Sequence, residues 1–194
     1  MPMNLVHRAL CSSRVWATLV AQHLPRSLEG VDLGDNVLEI GPGFGATTRV
    51  LADLVPRLTS IEIDEASVRR LRAEFGERVQ VLHGDGARLP FPDRGFSAVV
   101  CFTMLHHVPS PVLQDRLFAE ARRVLRPGGV FRGEDSRSSL LFRLLHLRDT
   151  MVVVDPETLA GRLTSAGLTD VEVSTVSAGQ FGFTGRAPGL PIAS

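Results

Sequence analysis

Three acids and a histidine pair carry the chemistry that this sequence offers. Glu39 stands in an apolar run, "VLEI", directly ahead of "GPGFGATT", where Gly41, Gly43 and Gly45 alternate. Glu62 closes a second apolar run, "LTSIE", and Asp85 follows a third, in "VLHGDGA". A carboxylate among aliphatic neighbours is expensive to bury unless it is paired or hydrogen-bonded. Glu39 and Glu62 therefore read as acceptors for a ligand or a donor. The glycines let the backbone turn tightly and approach a ligand closely, and Pro42 stiffens the turn. His106 and His107, in "CFTMLHHVPSP", are of the type that titrates near neutral pH. Either can act as a general base, or cap the following turn and pack beside it.

The elements that must position these residues follow from periodicity. Residues 4–24 read as one or two amphipathic helices, with apolar residues recurring at helical spacing. From residue 36 onward, short apolar strands alternate with helices. "NVLEI", "LTSIEI", "VQVLHGD", "FSAVVCFTML" and "VFRGED" are five strands, and "DVEVSTVS" and "QFGFTGR" two more. Asp64 stands where it can cap "EASVRRLRAEF", and Asp155 where it can cap "PETLAGRLTSAGL". Alternation of this kind specifies βαβ units, an α/β fold with helices on both faces of a parallel sheet. The last two strands are joined by too short a link for a parallel crossover and must form an antiparallel hairpin. The fold class is a doubly wound, Rossmann-like seven-stranded sheet, mostly parallel, with an antiparallel C-terminal edge hairpin. "VFRGED" raises one difficulty, because a central parallel strand is normally apolar. Glu134 shares the side-chain parity of Arg132 and could pair with it at a desolvation cost. Either the strand end opens into the pocket there or the strand is shorter, and the shorter strand is the expectation.

Composition removes several function classes. The 194 residues carry 21 basic and 21 acidic side chains, so nothing marks a nucleic-acid surface. Every basic residue is arginine, which excludes a lysine Schiff base and a P-loop lysine. Cys11 and Cys101 match no metal-binding spacing, and no metal is expected. Cys101, in an apolar strand, reads as a small core residue. No run reaches the ~18 apolar residues of a membrane span, so no membrane insertion and a cytoplasmic location are expected.

The glycine turn alone fits two cofactors. Gly41, Gly43 and Ala46 match the dinucleotide fingerprint, with Glu62 placed for the ribose hydroxyls, which keeps an NAD(P)-dependent dehydrogenase open. The order of features points elsewhere. Glu39 before the glycines, an acid after the second strand, "GDGARLPFPDRGFSAVV", "LRPGG" and the antiparallel ending together resemble the class I S-adenosylmethionine (SAM)-dependent methyltransferases, over residues 35–186. The resemblance implies a single domain over residues 1–186. Within it, residues 1–30 form a helical lid and 31–186 a SAM-binding core, and 187–194 are a tail. It further implies that Gly41, Pro42 and Gly43 support the methionine part of SAM, with Glu39 near its amino group. Glu62 would take the ribose hydroxyls, Ile63 would pack on the adenine, and Asp85, with Gly86 and Ala87, would receive the adenine amino group. Cys101 and Phe102 would lie beneath the reacting centre. Of the histidine pair, His107 is placed ahead of His106 as a candidate base, and the resemblance equally implies a pair that only shapes the site.

"EIGPGFGATT" with "IEID" also looks like the ribosomal adenine dimethylases. Those enzymes carry an Asn/Asp-Pro-Pro-Tyr type box after the fourth strand, where this chain has "FTML". "LPFPDRGFSAVVCFTMLHHV" followed by "LRPGG" resembles instead the small-molecule branch that includes quinone-biosynthesis C-methyltransferases. The expected acceptor is a small molecule, partly apolar, beneath a lid of residues 4–24 and 136–154 that holds Leu5, Trp16, Leu140, Phe142, Leu145 and Met151. A SAM-binding protein of this family without catalysis is the remaining alternative.

Overall fold

The computed structural model describes residues 4–139, 142, 144 and 149–190. Leu140 and Leu145 of the expected lid lie outside the described residues, as do the side chain of Leu5 and the tail beyond residue 190. The chain opens with two helices, α1 (Leu5–Cys11) and α2 (Arg14–Ser27), each capped by a side chain, Asn4 and Ser13. Then follow β1 (Val37–Ile40), α3 (Ala46–Leu54), β2 (Leu58–Glu62), α4 (Glu65–Phe75) and β3 (Gln80–His83). β4 (Phe96–Phe102), α5 (Pro111–Val124), β5 (Leu125–Ser136), α6 (Pro156–Ser165), β6 (Thr169–Ser177) and β7 (Gln180–Arg186) complete the order. The expected caps are present: Asp64 accepts from the Ser67 amide and Asp155 from the Glu157 amide.

The seven strands form one sheet in the order β3-β2-β1-β4-β5-β7-β6. β1 to β5 pair in parallel, while β7 runs antiparallel to both β5 and β6. The sheet is the expected α/β arrangement with its antiparallel hairpin at one edge. An all-parallel dinucleotide-binding sheet has the order 3-2-1-4-5-6; β7, wedged between β5 and β6, departs from it. The order reverses between β1 and β4, and their carboxyl ends are where an open α/β sheet binds ligands.

Strand parity sorts the core onto two faces. Leu38, Ile40, Val99, Cys101 and Phe131 pack with Leu117 and Phe118 of α5, Leu159 and Leu163 of α6, and Phe183. Val37, Ala98, Val100, Phe102 and Val130 pack on the other face with Leu24 of α2, Leu51 of α3, and Val68, Leu71 and Phe75 of α4.

The expectation of a short fifth strand is wrong. β5 runs for 12 residues, and Arg132 is paired in its interior with Val100 and Thr184. The chain solves the burial of this charge with donors and acceptors. Arg132 donates to the Ser27 and Phe183 carbonyls at 3.0 Å each and to Glu134 Oε1 at 3.3 Å. Glu134 also accepts from the Ser27 hydroxyl and contacts His23 Nε2 at 2.7 Å. Gly182 leaves the room, since a Cβ there would stand 2.8 Å from Arg132 Nη1. Burial pulls the Arg132 pKa below its ordinary value, and the Glu134 charge opposes that shift. The network fastens α2 to the middle of the sheet. Removing one partner strands a buried charge, so Arg132→Ala is expected to cost about 3–5 kcal/mol in urea unfolding. The double change Arg132→Met with Glu134→Leu is expected to recover that loss.

Candidate active site

All three alternating glycines adopt left-handed backbone, with φ of 70° at Gly41, 54° at Gly43 and 78° at Gly45. Such angles strain any residue bearing a Cβ, which accounts for the spacing. Gly45 caps α3 from that conformation, and its amide donates to the Pro42 carbonyl at 2.8 Å. Gly41 is required twice over, because a Cβ there would lie 2.9 Å from Met104 Cε.

The turn sits at the mouth of a cavity of about 630 Å3 at the switch point, within the ~300–1,000 Å3 range of small-molecule sites. Gly41, Pro42 and Gly43 line it on one side, and Glu62, Ile63, Asp85, Gly86 and Ala87 on another. Phe102, Thr103 and Met104, after the end of β4, lie with Leu113 and Leu117 of α5 around the apolar part. His7, Leu10, Trp16 and Val20 bring α1 and α2 over it. Glu62 is held between two amides. Gly43 N–H donates to Oε2 and Asp64 N–H to Oε1, each at 2.9 Å. Those bonds fix the carboxylate plane while leaving lone pairs for a vicinal diol, since a carboxylate offers about four acceptor sites. Asp85 is exposed at the rim and accepts from the Ala87 amide at 2.9 Å.

Two of the expected cofactor residues stand behind the cavity wall. Glu39 is 1% exposed, and both its oxygens are taken by hydroxyls: Thr47 on one, and Thr48 and Ser60 at 2.7 Å each on the other. Its strand parity turns it toward α3, so it braces the turn from beneath. Burial raises its pKa above the ordinary 4.5, against the lowering effect of the three hydroxyls. Cys101 is fully buried in the α5 face of the core, one residue out of phase with Phe102, which does reach the cavity. Burial lifts its thiol well above 9.0, which leaves it uncharged and unreactive.

The two histidines share the cavity wall but not their surroundings. They form a 3-10 turn, Leu105–His107, held by Gln114, whose amide donates to the Leu105 and Val152 carbonyls at 3.1 and 2.8 Å. Asp135, at the end of β5, takes His106 by both ends. It contacts ring Nδ1 at 2.5 Å and accepts from the His106 amide at 3.1 Å, with both side chains almost fully buried. The His107 ring lies 4.1 Å from that of His106, and on its other side stacks on His7 at 5.3 Å. His7 is itself bound to Asp149, Nδ1 to Oδ2 at 2.8 Å, and the same carboxylate accepts from the Asn4 amide at 2.6 Å. Sequence spacing links neither Asp135 to His106 nor Asp149 to His7; the fold alone brings these pairs together. Among the described residues, no group of three or more His, Cys, Asp or Glu is arranged to hold a metal, and no helix is long and apolar enough to cross a membrane.

Comparison with known proteins meets this geometry. Residues 38–132 match the family model described as a methyltransferase domain. A probable S-adenosylmethionine-dependent methyltransferase of Mycolicibacterium smegmatis is 41% identical over 98 residues, covering 50% of this chain and 37% of that protein. Residues 38–132 are thus a methyltransferase domain of the class I S-adenosylmethionine-dependent kind. S-adenosylmethionine is the cofactor of that family. The chain is also 31% identical, over 139 residues, to the ribosomal RNA small subunit methyltransferase A of Bordetella pertussis, covering 63% of this chain and 51% of that one. It spans between a third and about half the length of these two curated relatives. In fold it is similar to a solved protein of Pyrococcus horikoshii, with a TM-score of 0.75 at 19% identity, covering 91% of this chain and 93% of the other.

The buried Glu39 gives the fold a pH signature. Its folded pKa is raised, so its contribution to stability is fully present below 4.5 and is lost as pH rises through the folded value. Glu39→Gln is expected to flatten the fall in melting temperature as pH rises above 4.5, followed by calorimetry.

Proposed function

We propose that this chain transfers the methyl group of S-adenosylmethionine to a small, partly apolar molecule bound in the cavity. The observation that carries the reading is the Glu62 carboxylate, fixed by the Gly43 and Asp64 amides at the edge of a cavity that the glycine turn borders. This donor and acceptor set fits the cofactor. Glu62 accepts the two ribose hydroxyls, Ile63 packs against the adenine, and Asp85, Gly86 and Ala87 receive its amino group. Gly41, Pro42 and Gly43 admit the methionine end, and Glu39 acts through the hydroxyls that it orders. When bound, S-adenosylmethionine supplies an electrophilic methyl group on a sulfonium.

The remaining work falls to the chain: holding the acceptor in line, excluding water and removing a proton where the acceptor carries one. Phe102, Met104 and the α1–α2 residues exclude water. Asp135 commits Nδ1 of His106, which defines Nε2 as the proton-accepting nitrogen. His106 thus takes the role of base, and His107, packed between two rings, shapes the wall. Support for a small molecule over RNA comes from the balanced charge and from "FTML" in place of a box for a flipped base. The ribosomal RNA relative is the reason to test RNA beside it.

Isothermal titration with S-adenosylmethionine, S-adenosylhomocysteine and NADH tests the cofactor. Both adenosyl ligands are expected to bind, NADH is not, and Glu62→Ala is expected to weaken binding by about 10- to 100-fold, the worth of hydrogen bonds to a charged group. Binding of NADH alone overturns the reading. With an acceptor in hand, His106→Ala is expected to lower kcat by about 10²- to 10⁴-fold, with unchanged affinity for S-adenosylhomocysteine.

A further inference from the structure

α1 and α2 keep an apolar stripe that the core does not use. Val6 and Leu10, four residues apart on α1, are 70% and 40% exposed, and Val15 and Leu19 on α2 are 67% and 53% exposed. Residues at this spacing share a helix face. The inward side of α2 is already occupied, with Leu24 buried in the core and Ser27 and His23 bonded to Glu134. Four of the nine exposed large hydrophobic residues among those described thus fall on two short helices.

The same helices are cationic. Residues 1–28 hold three arginines and no acid, so the rest of the chain is net −3 in a molecule of net charge zero. Arg8, Arg14 and Arg26 are all exposed, and among the described residues none is in a salt bridge. Basic charge beside an apolar stripe is the pattern of helices that lie in a lipid interface. Neither helix is long enough to span it.

We propose that α1 and α2 dock on an anionic lipid surface and that the acceptor is a lipid-soluble molecule drawn from that surface into the cavity. The second half rests on the methyltransferase reading; the first does not. Charge complementarity selects the occupant. A second copy of this chain would bring three arginines against three, whereas an anionic bilayer takes both the charge and the stripe. Leu10, Trp16 and Val20 belong to these helices and line the cavity, so the docking element is also its roof.

The test mixes the intact chain with sedimenting vesicles of phosphatidylcholine, with or without phosphatidylglycerol. Partition is expected to be at least about tenfold higher on the anionic vesicles and to fall with added salt. Val15→Ser with Leu19→Ser, at positions outside the cavity wall, is expected to abolish it without changing affinity for S-adenosylhomocysteine. Equal partition on both vesicles, or none, overturns the docking. A dimer seen by light scattering and lost in the same variant assigns the face to a second copy and overturns it too. Wild-type chain that fails to bind S-adenosylhomocysteine removes the cofactor reading and leaves the vesicle result standing by itself. With methyl-labelled S-adenosylmethionine and cell extracts, label is expected in the lipid fraction; its absence there overturns the acceptor class.

Discussion

A carboxylate withdrawn from water must be met by donors, and this requirement shapes the cavity end of the sheet. Each buried acid recruits a different wall of the cavity. Glu39 takes the Thr47 and Thr48 hydroxyls and so anchors the start of α3 under the glycine turn. Glu62 takes the Gly43 amide and holds the turn itself. Asp135 takes His106 and sets the turn after β4. Glu134 takes Ser27 and His23 and draws α2 onto β5, while Asp149 takes Asn4 and His7 and fixes α1. The site is a set of elements brought to register because these charges have nowhere else to find partners.

That logic separates acids whose bonding is complete from acids with capacity to spare more finely than position does. Glu39 and Glu62 stand near the ends of adjacent strands and look alike in sequence. Glu39 has its oxygens consumed by three short hydroxyls in a space closed to solvent. Glu62 is held by amides on either side and opens on the cavity. Both satisfy the same physical demand, but only Glu62 retains capacity for another molecule.

The sheet, its edge hairpin, the caps at Asp64 and Asp155 and the glycine turn were legible because each is local: alternation, a short link, a cap two or three residues from its amide. The buried arginine was misjudged because apolarity is the rule for a central strand, and the exception depends on Ser27, Phe183 and the missing side chain at Gly182, all remote in sequence. His7 and Asp149 lie 142 positions apart, and no periodicity links them. The direction in which Glu39 and Cys101 point was a matter of strand phase. One residue decides it, and apolar runs buried on both faces carry no alternation from which to read that phase.

The place of β7 has a consequence for a chain being made on a ribosome. β7 is the last strand in chain order, yet it lies inside the sheet, between β5 and β6. Until it emerges, one side of β5 is an open row of peptide groups, and the Phe183 carbonyl that receives Arg132 does not yet exist. The half built on β1 to β4 can form early. The other half waits with an adhesive edge exposed, so the nascent protein is at its most vulnerable to wrong pairing in the interval between the synthesis of β5 and that of β7.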